Sequence, residues 1–172
     1  MTHHKDSVRD TYFISHIEYL PSDEKSVREF LTWRYQPPYE IYNYDTEHFD
    51  RDLAYHLDPA NNIYNMYRDG ELIGYCSFGR DAQVPGGDYS KDAIDIGMMI
   101  KPELTGQGLG TDFVANIVQH AEEKYKPKTL RVTILESNLR AKRVWKKNGF
   151  QQTGSFERKN DKTLFIVMTK DV

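Results

Sequence analysis

Thr105-Gly106-Gln107-Gly108-Leu109-Gly110-Thr111 is the stretch whose residue types and spacing say most about chemistry. It lies between an apolar, strand-like run and an amphipathic helical pattern. Three glycines at alternate positions let the backbone turn tightly and bring several N–H groups to a helix N-terminus. That arrangement suits a phosphate or pyrophosphate, and it also suits a turn that only has to be tight. Spacing excludes two phosphate motifs. A P-loop needs Lys and then Ser or Thr after its last glycine, and no Lys follows here. A dinucleotide fingerprint needs Gly-x-Gly-x-x-Gly after the first strand, whereas this turn comes late and carries Thr111 at the third-glycine place. No metal is expected, because His3, His4, His16, His48, His56 and His120 show no ligand spacing. Cys76 is alone, so it forms no intramolecular disulfide, and its mid-strand place suits packing better than nucleophilic chemistry.

The elements that must position this turn follow from periodicity. Tyr12 to Leu20 alternates as a strand with two partly buried faces. Pro21 and Ser22 precede Asp23 and Glu24, acids suited to a first helical turn, and Val27, Phe30 and Leu31 then recur at helical spacing until Gln36-Pro37-Pro38 breaks the pattern. From Asp45 a short helix is expected with Phe49, Leu53 and His56 or Leu57 inward. Ile63–Arg68 and Glu71–Phe78 across Asp69-Gly70 make a hairpin. Ala93–Ile100 reads as a strand leading into the glycine turn, and Phe113, Val114, Ile117, Val118 and Ala121 mark the helix after it. Leu130–Leu135 is a buried strand and Asn138–Asn148 a helix closed by Gly149. Phe150–Glu157 and Thr163–Thr169 complete a last hairpin. The order β-α-α-β-β-β-α-β-α-β-β implies an α+β or mixed α/β sheet with helices on its faces.

Two motifs in this order carry a family resemblance. Ile96–Thr111 (IGMMIKPELTGQGLGT) resembles the strand, Pro-Glu step and Arg/Gln-x-x-Gly-x-Gly turn of the GCN5-related N-acetyltransferase superfamily. Asn138–Phe150 (NLRAKRVWKKNGF) resembles its second signature, Asn-x-x-Ala-x-x-x-Tyr-x-x-x-Gly-Phe. The resemblance covers most of the chain from Ile63 onward, and residues 1–60 match only in element order. It implies a mixed, mostly antiparallel sheet of about seven strands flanked by about four helices, splayed between the fourth and fifth strands. It also implies acetyl-CoA as acyl donor. Gly106, Gln107, Gly108, Gly110 and Thr111 would cradle the pyrophosphate, main-chain groups of Met98, Met99 and Ile100 would pair with the pantetheine arm, and Asn138 would contact the cofactor near its reactive end.

The sequence departs from the family pattern twice. Thr105 replaces Arg or Gln, which leaves backbone N–H groups, and Lys142, Arg143 or Lys146, to meet phosphate. Trp145 replaces the tyrosine that often protonates the thiolate, and an indole N–H does not titrate usefully. Acetyl transfer to an amine needs a neutral nucleophile, a place for the oxyanion and a proton for sulfur. Backbone N–H groups around Met98–Ile100 could polarise the thioester carbonyl. Asp95, on the strand entering the turn, and Glu136, where the next strand ends, are the candidate catalytic carboxylates. Either could instead be a structural partner or a solvated end residue. The acidic, tyrosine-rich segment Tyr39–Asp58 is the candidate acceptor site, with Glu40, Tyr42, Tyr44 and Asp45 able to hold a cationic amine by charge and aromatic faces. A solvated acidic helix with tyrosines packed on the core is the alternative.

Composition bounds the rest. The chain has 172 residues, 38% hydrophobic and 28% charged, which fits one globular domain over 1–172. No apolar run reaches the roughly 20 residues of a membrane span, and the polar N-terminus has no secretory h-region, so a cytoplasmic location is expected. The net charge of −3 conceals an acidic first third and a basic last third, consistent with a polyanionic cofactor and a cationic acceptor. Nucleic-acid binding is disfavoured, since aromatics do not interleave with the C-terminal basic residues. The expected function is an N-acetyltransferase acting on a primary amine of a small polar or cationic acceptor by direct attack in a ternary complex. A protein N-terminal or lysine acetyltransferase and a non-catalytic acyl-CoA-binding module are the alternatives, and the oligomeric state is open, a homodimer included.

Overall fold

The computed structural model describes residues 17–172. Strand β1 (Ile17–Pro21) leads into helix α1 (Glu24–Phe30); the strand expected over Tyr12–Leu20 is thus seen from Ile17, and its earlier residues lie outside the described residues. The Asp23 carboxylate accepts the Ser26 amide at 3.0 Å, filling one N–H that a helix start leaves open. Helix α2 (Phe49–Leu57) buries Leu53 and His56. Strands β2 (Ile63–Arg68) and β3 (Glu71–Phe78) join across Asp69 and Gly70, whose φ values of 52° and 77° are the positive pair that a two-residue hairpin turn requires. Then come β4 (Ile94–Ile100), α3 (Gly110–Tyr125), β5 (Thr129–Leu135), α4 (Leu139–Lys147), β6 (Gln151–Glu157) and β7 (Leu164–Asp171). This is the element order read from periodicity, with short 3-10 turns added in the loops.

The sheet runs β1-β2-β3-β4-β5-β7-β6, and every neighbouring pair is antiparallel except β4 with β5. That parallel pairing is confined to Ile94↔Leu130 and Asp95↔Arg131. Beyond it the two strands part, as the resemblance implied. Side chains alternate across the sheet, so consecutive residues enter different cores. Leu72, Tyr75 and Met99 join Val27, Phe30 and Leu53 of α1 and α2. Ile73, Cys76 and Ile100 join Phe113 and Ile117 of α3 and Trp145 of α4. Two apolar layers, one on each face, hold the splayed strands in place.

Candidate active site

The parting of β4 and β5 opens a cleft of about 810 Å³, within the range of roughly 300–1,000 Å³ typical of small-molecule sites. Its first wall is β4. In an antiparallel pair, main-chain groups of alternate residues point to the partner strand. The Gly79 amide donates to the Asp95 carbonyl at 2.8 Å and the Lys101 amide to the Ile73 carbonyl at 2.9 Å, with unbroken register between them. Asp95, Gly97, Met99 and Lys101 therefore face β3, whereas Met98 and Ile100 turn their main-chain groups to the gap. The expected pairing set narrows accordingly: Met99 spends its amide and carbonyl on Tyr75. The Ile100 carbonyl accepts from the Tyr35 hydroxyl, leaving its amide open.

The glycine turn closes one end of the cleft. Gly106 and Gly108 have φ of 71° and 75°, a region that other residues enter at a cost of about 1–2 kcal/mol. A Cβ on either would meet no atom within 4 Å, so conformation, not crowding, calls for glycine there. Among the described residues, no protein hydrogen bond engages the N–H groups of Gly106 through Thr111, and the residue capping α3, Leu109, has no side chain that could do so. Gly110, Thr111, Arg143 and Lys147 also line this part of the lining, and no Asp or Glu does. Free amides, a helix start and cations fit the phosphates of a nucleotide-bearing ligand. The Gln107 side chain is turned to the Glu103 carbonyl, to which its amide donates at 2.6 Å. Thr105 likewise turns its hydroxyl to the Pro102 carbonyl at 2.7 Å.

Asn138 links the two halves of the site. Its Oδ1 accepts the Ala141 amide at 3.0 Å, starting α4, and its Nδ2 donates to the Tyr42 hydroxyl at 2.9 Å. Arg140 lies 3.9 Å over the Tyr39 ring. The 3-10 turn Glu40–Tyr42 is thereby fastened across the cleft to α4. Tyr44 also lines the cleft, with its hydroxyl 2.7 Å from that of Tyr75 and 2.9 Å from His56 Nε2. Burial pushes the phenols of Tyr42 and Tyr44 up from their ordinary value. Glu40 and Asp45 are exposed, and neither lines the cleft. Within the segment Tyr44 is turned inward, whereas Tyr42 and Tyr55 are 38% and 43% exposed and Glu40 and Asp45 lie in solvent.

Neither expected carboxylate stands in the cleft. Asp95 receives Arg131 Nε at 2.6 Å and Nη2 at 2.8 Å, and Gln83 at 2.9 Å; with both side chains at most 5% exposed, it is a closed ion pair at the β4–β5 junction. Both of its oxygens are occupied, and Asp95 is not among the residues that line the cleft. Glu136 is exposed beyond the end of β5, 3.5 Å from Lys142 Nζ. Trp145 is buried edge-on to Phe150, with centroids 4.9 Å apart. Sequence reasoning did not single out Tyr35, Tyr75 or Arg140, which line the cleft, nor His56 behind it. Tyr75 carried no sequence signal for this: simple alternation from Leu72 puts it on the opposite face, and it shares the face of Leu72 and Met99 only because the β2–β3 register shifts at Met66/Tyr67.

A spermine/spermidine N(1)-acetyltransferase of Bacillus subtilis (strain 168) is 26% identical over 99 residues, 58% of this chain and 65% of that protein, so the chain spans just under two thirds of that relative. A putative ribosomal protein bS18-alanine N-acetyltransferase of the same strain is 31% identical over 113 residues, 63% of this chain and 68% of that protein. The fold is that of an aminoglycoside acetyltransferase, AAC(6')-Ib, solved in complex with coenzyme A, at a TM-score of 0.72 and 19% identity over 90% of this chain and 94% of that one. The Acetyltransferase (GNAT) family model matches residues 25–150, from α1 through the glycine turn to Phe150, and on that match the chain belongs to the GNAT acetyltransferase family.

Proposed function

We propose that the protein transfers an acetyl group from acetyl-CoA to a primary amine of a small, polar, cationic acceptor by direct attack in a ternary complex. The observation that carries this reading is the splayed β4–β5 cleft ending on six unengaged amides at Gly106–Thr111, in a chain of the GNAT family. Those amides, with Arg143 and Lys147, would hold the phosphates. Met98 and the Ile100 amide would pair with the pantetheine arm and polarise the thioester carbonyl, and Asn138 would stand near the reacting end. Acetyl-CoA supplies the activated acyl group; the chain supplies orientation, oxyanion stabilisation and proton transfer. The named activities of the spermine and aminoglycoside relatives support a cationic acceptor. The lone, buried thiol of Cys76 suits a reducing, cytoplasmic setting.

The relative of 31% identity supports a second reading, acetylation of a protein N-terminus. Thiol release from acetyl-CoA across a panel of polyamines, aminoglycosides and N-terminal peptides separates the two. We expect turnover with a small polyamine or aminoglycoside and a thermal shift with millimolar acetyl-CoA. No shift sinks the reading, and turnover confined to peptides moves it to the second acceptor class.

A further inference from the structure

His56 is 4% exposed, and nothing in acetyl transfer as described so far uses it. It sits in the last turn of α2, with Phe30 and Tyr75 at 4.9 and 5.1 Å between ring centroids. Its Nδ1 has no hydrogen-bond partner among the described residues. An unsatisfied buried polar atom costs about 1–3 kcal/mol, which an apolar side chain at this place would avoid. What the imidazole gains is its other nitrogen, 2.9 Å from the Tyr44 hydroxyl. Tyr44 in turn lies 2.7 Å from the Tyr75 hydroxyl, and both tyrosines line the cleft beside Met99. Among the described residues that line it, there is no carboxylate, and Asp95 and Glu136 are engaged elsewhere. An acceptor arriving as an ammonium ion needs another base.

We propose that Tyr44 and His56 form the proton-accepting pair for the acceptor amine, Tyr44 touching the amine and His56 taking the proton behind it. This rests on the acetyl-transfer reading. In the assigned network Tyr75 O–H donates to the Tyr44 oxygen and Tyr44 O–H donates to His56 Nε2, so the neutral imidazole carries its proton on Nδ1. The remaining lone pair of Tyr44 faces the acceptor. One ammonium proton passes to that oxygen as Tyr44's own proton passes to Nε2; Tyr44 ends neutral and His56 cationic. The freed nitrogen lone pair makes the C–N bond as the C–S bond breaks, and sulfur leaves with its electron pair and takes a second proton from nitrogen. His56 afterwards returns its proton through Tyr44 to solvent. Ammonium and thioester go in; amide, thiol and one proton come out.

The surroundings suit a transient acceptor. Burial lowers the His56 pKa, while Asp81 from the turn after β3 and Asp52 from α2 pull it up. Phe30 of α1 is uncharged, and Tyr44, Tyr55 and Tyr75 have pKa values raised by burial and stay protonated. His56 is therefore neutral, ready to accept, at neutral pH.

The test compares wild type, His56→Gln and Tyr44→Phe by acetyl-CoA calorimetry and by kcat, KM and pH profiles over about pH 5 to 8. Wild-type kcat/KM should fall on acidification through a group below the ordinary histidine value of 6.5. Both variants should lose about 10²-fold in kcat, keep acetyl-CoA affinity within about 2-fold, and His56→Gln should lose the acid limb. A His56→Gln enzyme with the same limb and a kcat within about 2-fold of wild type overturns the pair. Should that variant not fold, imidazole NMR of the wild type decides: an Nδ1–H tautomer that titrates supports the relay, and an Nε2–H tautomer overturns it. Wild type inactive on every amine overturns the acetyl-transfer reading and the relay together, whereas an active enzyme indifferent to His56 overturns the relay alone.

Discussion

At position 145 the family's tyrosine is an indole that packs edge-on against Phe150 and lines the cleft. The residue fills the layer between α4 and the sheet, and its N–H cannot serve as an acid near neutral pH. If sulfur takes its proton from the attacking nitrogen, a phenol at this place adds nothing to the rate. Trp145→Tyr should therefore fold, lose about 1–2 kcal/mol of stability because the smaller ring underfills its site, and keep kcat within about 3-fold. Denaturant melts and steady-state kinetics check both halves. A gain of about 10-fold or more would show that thiolate protonation limits turnover and that the missing acid matters. The substitution itself was legible from the motif, but its packing was not, because the Phe150 contact depends on how α4 docks.

The pairing of β4 with β5 is an element-scale device. The strands share two residue pairs and then separate, so whatever fixes that junction fixes the mouth angle of the cleft. The Asp95–Arg131 ion pair lies in the second of those pairs and is buried, with Arg131 also donating to the Lys91 carbonyl at 3.0 Å. Removing one member of a buried pair leaves an uncompensated charge and costs about 3–5 kcal/mol, while an apolar pair of similar volume can be nearly neutral. Asp95→Asn should lower stability by that amount in urea melts, and Asp95→Leu combined with Arg131→Met should recover most of it. A fully stable, inactive Asp95→Asn would return Asp95 to the chemistry. Strand periodicity revealed β4, β5 and the glycine turn, since each is a local pattern. The partner of Asp95 lies 36 residues away across a parallel crossover, and no local pattern encodes that. The facing of Tyr39–Asp58 was ambiguous for the same reason: its acids and tyrosines alternate too irregularly to show which side meets the core.

Over the whole molecule the charge gradient becomes a spatial statement. Arg140, Arg143 and Lys147 come from the basic last third and line a cleft whose described lining holds no Asp or Glu, while acids of the first third, such as Glu40 and Asp45, stay outside in solvent. Sequence alone located the two charge blocks; the fold brings cations of the basic block into the lining, while the acidic block contributes uncharged residues such as Tyr35, Tyr42 and Tyr44. A polyanionic cosubstrate should then bind with a strong salt dependence, because these cations are partly exposed and screening shortens from about 10 Å at 0.1 M salt to about 3 Å at 1 M. Calorimetry of acetyl-CoA at low and high salt should show Kd rising several-fold. In Arg143→Ala with Lys147→Ala, Kd at low salt should already be weak and the slope against salt shallower, since fewer ions are released on binding. The backbone amides at Gly106–Thr111 carry no net charge, so they set the affinity that survives at high salt. Equal slopes in wild type and the double variant would mean that the amides alone hold the phosphates and that the basic helix face serves another purpose.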